Sequence, residues 1–226
     1  MAAELSARRY LLDLLIRLML GLLFAFAAGA CLKSGIAGLQ KIDFSNLRPY
    51  QISQMLSVFT IGFYTLIVAC LYALRLRPVS KFMGILPCAT ALLGGFLLSA
   101  LLLLSPRTDL PLAALIFADL LVVTGNIFAM IVLLQLGRSF SILPEGRRMV
   151  TRGSYAVVRH PLYLAEAVAT LGVAINFLSL WALLLIASQF ALQIARIHYE
   201  EKVLRQHFPA YEAYARKTPR LIPGVY

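Results

Sequence analysis

Apolar residues in this chain fall into long runs separated by short polar segments. Residues 10–32, 52–74, 82–104 and 111–136 are each predominantly apolar over more than twenty positions. A helix needs about 20 such residues to cross a hydrocarbon core about 30 Å thick, so each run predicts a membrane-spanning helix. A fifth run, 162–197, is interrupted at "NFLS", 176–179. The part before the interruption is short for a crossing, about 21 Å of helix at its rise per residue, and the part after it is long enough. This pattern predicts a helical hairpin with Asn176 at its turn. The expected fold is an all-α integral membrane protein with about six transmembrane helices, the last two a hairpin, followed by a helical tail.

Composition agrees with the pattern. Hydrophobic residues make up 61% of the chain and mean hydropathy is +0.82, where soluble domains hold roughly 45–50% apolar residues. A net charge of +11 would suggest nucleic acid in a soluble protein, but here its distribution reads as topology. With the N-terminus inside, sixteen Lys and Arg fall in inner segments and four, Lys33, Lys41, Arg48 and Arg107, in outer loops. The positive-inside rule then predicts cytoplasmic N- and C-termini, with membrane lipids rather than nucleic acid as partners. The first run, preceded by Arg8 and Arg9, also has the look of a signal peptide; in a chain with several spans, an uncleaved first helix is the expectation. Cys31, Cys70 and Cys88 stand singly in apolar runs and lack the spacing of a zinc site.

Ionisable residues inside a membrane span are candidates for function, since each is costly there. Asp13 and Arg17, four apart, predict an ion pair on one helix face. Asp119 and Asn126, seven apart, share a face and suit either a hydrogen bond between helices or the lining of a substrate path. The remaining polar residues concentrate in "LGRSFSILPEGRRMVTRGSYAVVRHPLYLAE" and "RIHYEEKVLRQHFPAYEAYARKTPRLIPGVY", which would face each other across the hairpin on the inner side. All three histidines, His160, His198 and His207, lie there. They are too scattered for a metal box, and no metal is expected. Pro161 reads as the first residue of a helix, leaving His160 at a helix N-terminus that favours anions. Pro209 reads as the start of a short helix placing Tyr211 and Tyr214 on one face.

Taken in order, Gly153-x-Tyr155, Arg159-His160-Pro161-x-Tyr163, Glu200-Glu201-x-x-Leu204, Phe208-x-x-Tyr211-x-x-Tyr214, Pro219-Arg220 and Ile222-Pro223 resemble the isoprenylcysteine carboxyl methyltransferase family, related to the integral-membrane phospholipid N-methyltransferases. The resemblance covers residues 136–226 and implies an enzyme core over 137–226. Residues 1–136 form a four-helix region without a recognisable motif. It implies S-adenosylmethionine as cofactor, bound between the cytoplasmic loop and the tail, and a lipophilic acceptor arriving from the bilayer. Gly153, Tyr155, His160, Pro161 and Tyr163 match family positions near the cofactor. Glu200 and Glu201 match an acidic pair meeting its amino group and ribose, and Arg159 matches a position that orients the acceptor. Arg159 and Glu201 are thus the expected catalytic residues. The chain departs from the family pattern at Ser154, Ala165 and Pro209, positions that concern turn shape and close backbone approach.

No Gly-rich turn follows a strand here, so a soluble dinucleotide-type cofactor domain is not expected. Methyl transfer from a sulfonium chiefly requires donor and acceptor held in line. A carboxylate acceptor needs no general base and gains from a shielded pocket, because opposite charges are lost together in the transition state. An amine acceptor must be neutral or lose a proton, for which His160 with Glu166, or the Glu200/Glu201 pair, is available. The other readings are a non-enzymatic binding or assembly protein of the same fold and a small transporter. A transporter would show paired half-repeats and polar breaks near the midplane, whereas the polar residues here gather at one end.

Overall fold

The structure, a computed structural model, describes residues 2–46, 48–76, 84–104, 107, 109–143 and 145–224, and every regular element among them is helical. The elements are α1 (Ala2–Leu39), α2 (Pro49–Leu74), α3 (Ile85–Phe96), α4 (Leu112–Leu136), α5 (Ser154–Val157), α6 (Pro161–Asn176), α7 (Leu180–His207) and α8 (Tyr211–Lys217). Four of them, α1 from Asp13 onward, α2, α4 and α7, are long and apolar enough to cross a membrane.

The boundaries follow local chemistry. α1 runs past the apolar stretch 10–32 to Leu39 because no proline interrupts it. α2 begins with Pro49 at its first position, and the Arg48 backbone N–H donates to the Gln51 side chain at 3.0 Å. The run 82–104 forms twelve residues of α-helix and then tightens into a 3-10 segment, Leu97–Leu103; its start lies outside the described residues. α4 stops at Gly137, whose φ of 54° suits glycine. α6 starts on Pro161 and ends at Asn176, and Ser179 caps α7 by accepting from the Ala182 N–H at 3.2 Å. The tail helix α8 starts at Tyr211 rather than at Pro209, with Ala210 as its cap.

Helix α1 lies along α2, α2 against α4, α4 along α6, and α3 against α7, while α6 and α7 meet at only a few positions. The turn at 176–179 is present, but each of its legs packs chiefly on another helix. The α4–α6 contact is close because it is built on small residues. A Cβ added to Gly125 would lie 2.5 Å from the Ala169 nitrogen, and one added to Gly172 would lie 2.4 Å from the Ala118 carbonyl oxygen. A buried cluster around Leu20, Val68, Tyr72, Leu133, Phe140 and Ile142 ties α1, α2 and α4 to the segment after α4. Large apolar side chains such as Phe26, Phe117 and Trp181 point outward, as lipid-facing positions do.

Candidate functional site

The site begins with the backbone between α5 and α6. The Arg159 N–H donates to the Pro219 carbonyl at 2.8 Å, and the His160 N–H donates to the Arg220 carbonyl at 3.0 Å. The Tyr214 hydroxyl donates to the Tyr155 carbonyl at 2.6 Å. These bonds draw the tail over the Arg-His-Pro segment. Gly153 makes the turn before α5 with φ 64°, and its missing Cβ leaves room for the Gln135 side chain, whose Oε1 accepts from the Ser154 N–H at 2.8 Å.

Glu201 lies behind this closure and is 0% exposed. Its carboxylate meets Arg159 at 3.1 Å, His160 Nε2 at 3.3 Å, Arg205 at 3.2 Å and Arg220 at 3.1 Å. A buried carboxylate is tolerable only with such partners. The cluster fastens the Arg-His-Pro segment, α7 and the tail to one another.

Beside the cluster is a cavity of about 350 Å³, within the roughly 300–1,000 Å³ range of small-molecule pockets. Tyr155, Arg159, His160, Tyr163, Glu200, Tyr211 and Tyr214 give its lining a polar end of the α5–α6 segment, α7 and the tail, and Phe24, Ile61, Val68, Leu98 and Val122 supply an apolar arm of that lining from α1, α2, the 3-10 segment and α4. Of the two acidic neighbours on α7, Glu200 reaches the cavity and Glu201 does not line it. Pro161 is buried at the start of α6, and Gly153 shapes the turn; neither lines the cavity. The Tyr163 hydroxyl donates to Glu200, and His160 Nδ1 stands 3.9 Å from the other Glu200 oxygen. Through its two ring nitrogens His160 thus joins the ion cluster to the cavity. Burial pushes the Tyr155 and Tyr211 phenols up from their usual range and Tyr214 to about 12, so all three are neutral at physiological pH.

Several polar groups in the cavity are not singled out by the motif. Glu166 accepts from the Tyr64 hydroxyl and from Gln193 Nε2, each at 3.2 Å. Arg196, 7% exposed, lies with its guanidinium 5.0 Å from the centre of the Tyr163 ring, and its Nε is buried with no hydrogen-bond partner among the described residues. Gln189 donates to the Gly94 carbonyl at 2.7 Å. Gln189, Gln193, Arg196 and Glu200 lie four, three and four apart, a polar stripe along one face of α7. That spacing was readable within the apolar run and is the signal that identifies Arg196 and Gln193 as lining residues. Asn126 lines the cavity. Its neighbour on the same face, Asp119, instead clamps α4 to α2, accepting from the Ser53 hydroxyl at 2.8 Å and the Ser57 hydroxyl at 3.1 Å. His198 and His207 bond to backbone carbonyls on their own helix, and among the described residues no three His, Cys, Asp or Glu groups come together as a metal site.

Fold and site together define a bundle of membrane-length helices with an internal, partly polar cavity closed by the chain's own tail. Residues 113–211, from α4 to the start of α8, match the sequence model of the phospholipid methyltransferase family. The chain is also similar to three curated proteins. Over 82 residues it is 34% identical to the nickel-cobalt-cadmium resistance protein NccN of Alcaligenes xylosoxydans xylosoxydans, covering 36% of this chain and 38% of that protein. Over 118 residues it is 31% identical to protein-S-isoprenylcysteine O-methyltransferase B of Arabidopsis thaliana, covering 48% and 59%. Over 102 residues it is 36% identical to protein-S-isoprenylcysteine O-methyltransferase of Schizosaccharomyces pombe, covering 41% and 42%. The chain thus spans less than two thirds of each of these relatives. The likeness read from the motifs recurs here as similarity over part of the chain: residues 113–211 resemble the phospholipid methyltransferase family, and overlapping stretches resemble isoprenylcysteine O-methyltransferases.

Proposed function

We propose that this chain is an integral-membrane methyltransferase that uses S-adenosylmethionine and acts on a lipophilic acceptor at the cytoplasmic face. The observation that carries the reading is the cavity itself, which joins the polar groups of the Arg-His-Pro segment, α7 and the tail to apolar side chains of the long helices. The donor fits the polar end by its chemistry. Its ammonium and sulfonium suit the Glu200 carboxylate, and its carboxylate suits Arg196 or the α6 N-terminus at His160. When bound, the cofactor supplies an electrophilic methyl group. His160, Tyr155, Tyr163 and Glu200 hold it in place, while Gly153 and Pro161 set the turn and helix start that present them. Arg159, at the boundary of cluster and cavity, orients the acceptor, and Glu201 fixes Arg159 and His160. The apolar arm takes the acceptor's tail and excludes water from the transfer.

In the proposed topology both termini are cytoplasmic and six segments cross the membrane. α3 and its 3-10 extension supply about 18 Å and about 14 Å, together near the thickness of a bilayer core. The short α6 forms a hairpin with α7 that begins at the cavity, below the membrane surface. Core 137–226 would carry the chemistry and region 1–136 most of the spans.

The test has two arms. Purified chain should bind S-adenosylhomocysteine in a calorimetric titration, and His160→Ala and Glu200→Gln should each abolish measurable binding while helical content persists; unchanged binding in both overturns the assignment. In the second arm, labelled S-adenosylmethionine is incubated with the chain and host membranes. Label in an extractable lipid identifies a lipid acceptor, label in protein a protein carboxylate, and no label overturns the enzymatic reading.

A further inference from the structure

Away from Glu201 and the tail, buried charge also gathers where α1, the end of α2 and the segment after α4 meet. Asp13 Oδ1 is 2.6 Å from Arg75, whose side chain is 1% exposed, and the same guanidinium donates to the Asp13 carbonyl at 3.2 Å. Arg17, one turn along α1, reaches the other Asp13 oxygen at 3.4 Å. Arg147, with a side chain 0% exposed, stands 3.9 Å from Asp13, pairs with Glu145 and donates to the Leu76 carbonyl. Three guanidiniums therefore share two carboxylates, and Asp13 is the one within reach of all three.

The surrounding bonds bind the same parts. The Leu76 N–H donates to the Arg138 carbonyl and Arg138 Nε to the Leu74 carbonyl, both at 2.8 Å. The Tyr72 hydroxyl accepts from the Ile142 N–H at 3.1 Å. The segment held in this way is a wall of the cavity, to which it contributes Ser139, Phe140, Ile142, Glu145, Arg147 and Met149. Without the Asp13 charge, Arg75 and Arg147 would be buried close together with, among the described residues, only Glu145 to offset them. Like charges so placed repel, and the side able to yield is the irregular segment rather than the end of a long helix.

We propose that Asp13 is a positioning residue: it holds residues 138–143 and 145–150 in place as a wall of the cavity, and through it the motif-free N-terminal helices take part in binding. This rests on the methyltransferase reading of the cavity. It also assigns a role to a part of the chain that lies before the family match at 113–211.

The test uses full-length chain in detergent. In Asp13→Asn, affinity for S-adenosylhomocysteine should fall about tenfold, within the range by which residues that touch no ligand alter binding through a packed network. The KM for the donor should rise to match while kcat changes little. Hydrogen exchange should rise at 139–150 and stay unchanged along α6 and α7. Arg17→Gln, which removes a partner on α1 itself, should leave binding and exchange as in wild type, and Asp13→Glu should recover most of the affinity. Wild-type affinity and exchange in Asp13→Asn overturn the proposal, and so does a uniform rise in exchange over all helices, which would make Asp13 a general stabiliser. Should Asp13→Asn fail to fold, Arg147→Lys decides: it keeps the charge, but one ammonium cannot replace both Nη1 on the Leu76 carbonyl and Nη2 beside Glu145 and Asp13, so exchange should rise at 139–150, and wild-type exchange in it overturns the proposal. A wild-type chain that binds no S-adenosylhomocysteine overturns the methyltransferase reading instead, and the exchange data still decide whether Asp13 holds the segment.

Discussion

Glu200 and Glu201 are adjacent in sequence, yet they do different work because a helix turns about 100° per residue. Glu200 faces Tyr163 and the cavity, and Glu201 faces Arg159, His160, Arg205 and Arg220. The acidic pair was legible as a pair, but its division was not, because it depends on where the tail returns. The division has a measurable consequence. Removing one partner of a buried ion pair costs about 3–5 kcal/mol, so Glu201→Gln should lower the thermal midpoint sharply, with loss of binding following from loss of the closed tail. Glu200→Gln should lose binding at nearly unchanged stability. Arg205, with a side chain 42% exposed, contributes as a surface pair does, about 0–1 kcal/mol, and Arg205→Gln should melt close to wild type. A Glu201→Gln protein that melts like wild type would show that the cluster is not what closes the tail.

At the scale of elements, most helices were legible because apolar runs and Pro, Gly and Ser boundaries are local signals. The run 111–136 appears as α4, and Pro161 starts α6 as its position implies. Which helices pack together was less legible. The sequence predicted a final hairpin turning at Asn176 but not what its legs pack on: α6 lies chiefly on α4 and α7 on α3. The signal for the α4–α6 contact was present in Ala118, Gly125, Ala165, Ala169 and Gly172, but small residues show a close crossing only once their partners are known. This contact predicts a contrast between two glycines. Gly125→Leu puts side-chain carbons where the Ala169 backbone stands, and such overpacking costs about 1–3 kcal/mol or more. Gly29 has nothing within 4 Å of an added Cβ, so Gly29→Leu should leave stability unchanged or slightly raised by helix propensity. Melting curves of the two variants in one detergent check the difference, and equal losses would mean that the α4–α6 contact is not close-packed.

At the scale of the molecule, the cavity has walls from both halves of the chain. The motif residues of α5, α6, α7 and α8 form its polar end, and α2 supplies Ile61 and Val68 to the arm and Tyr64 as a donor to Glu166, three residues on one helix face at spacings of three and four. In the sequence these three look like any other apolar positions of a span. What makes them part of the site is the packing of α2 against α4, beyond the reach of local pattern. If the arm holds the acceptor's tail and the polar end holds the donor, the two should be separable by substitution. Ile61→Trp narrows the arm without touching His160, Tyr163 or Glu200. It should raise the KM for the lipophilic acceptor by about tenfold, the scale on which hydrophobic pockets discriminate by size, and leave the KM for S-adenosylmethionine unchanged. A parallel rise in both constants would mean that donor and acceptor share one undivided space. A change in neither would place the acceptor's tail outside the arm, along the lipid-facing surface of the bundle.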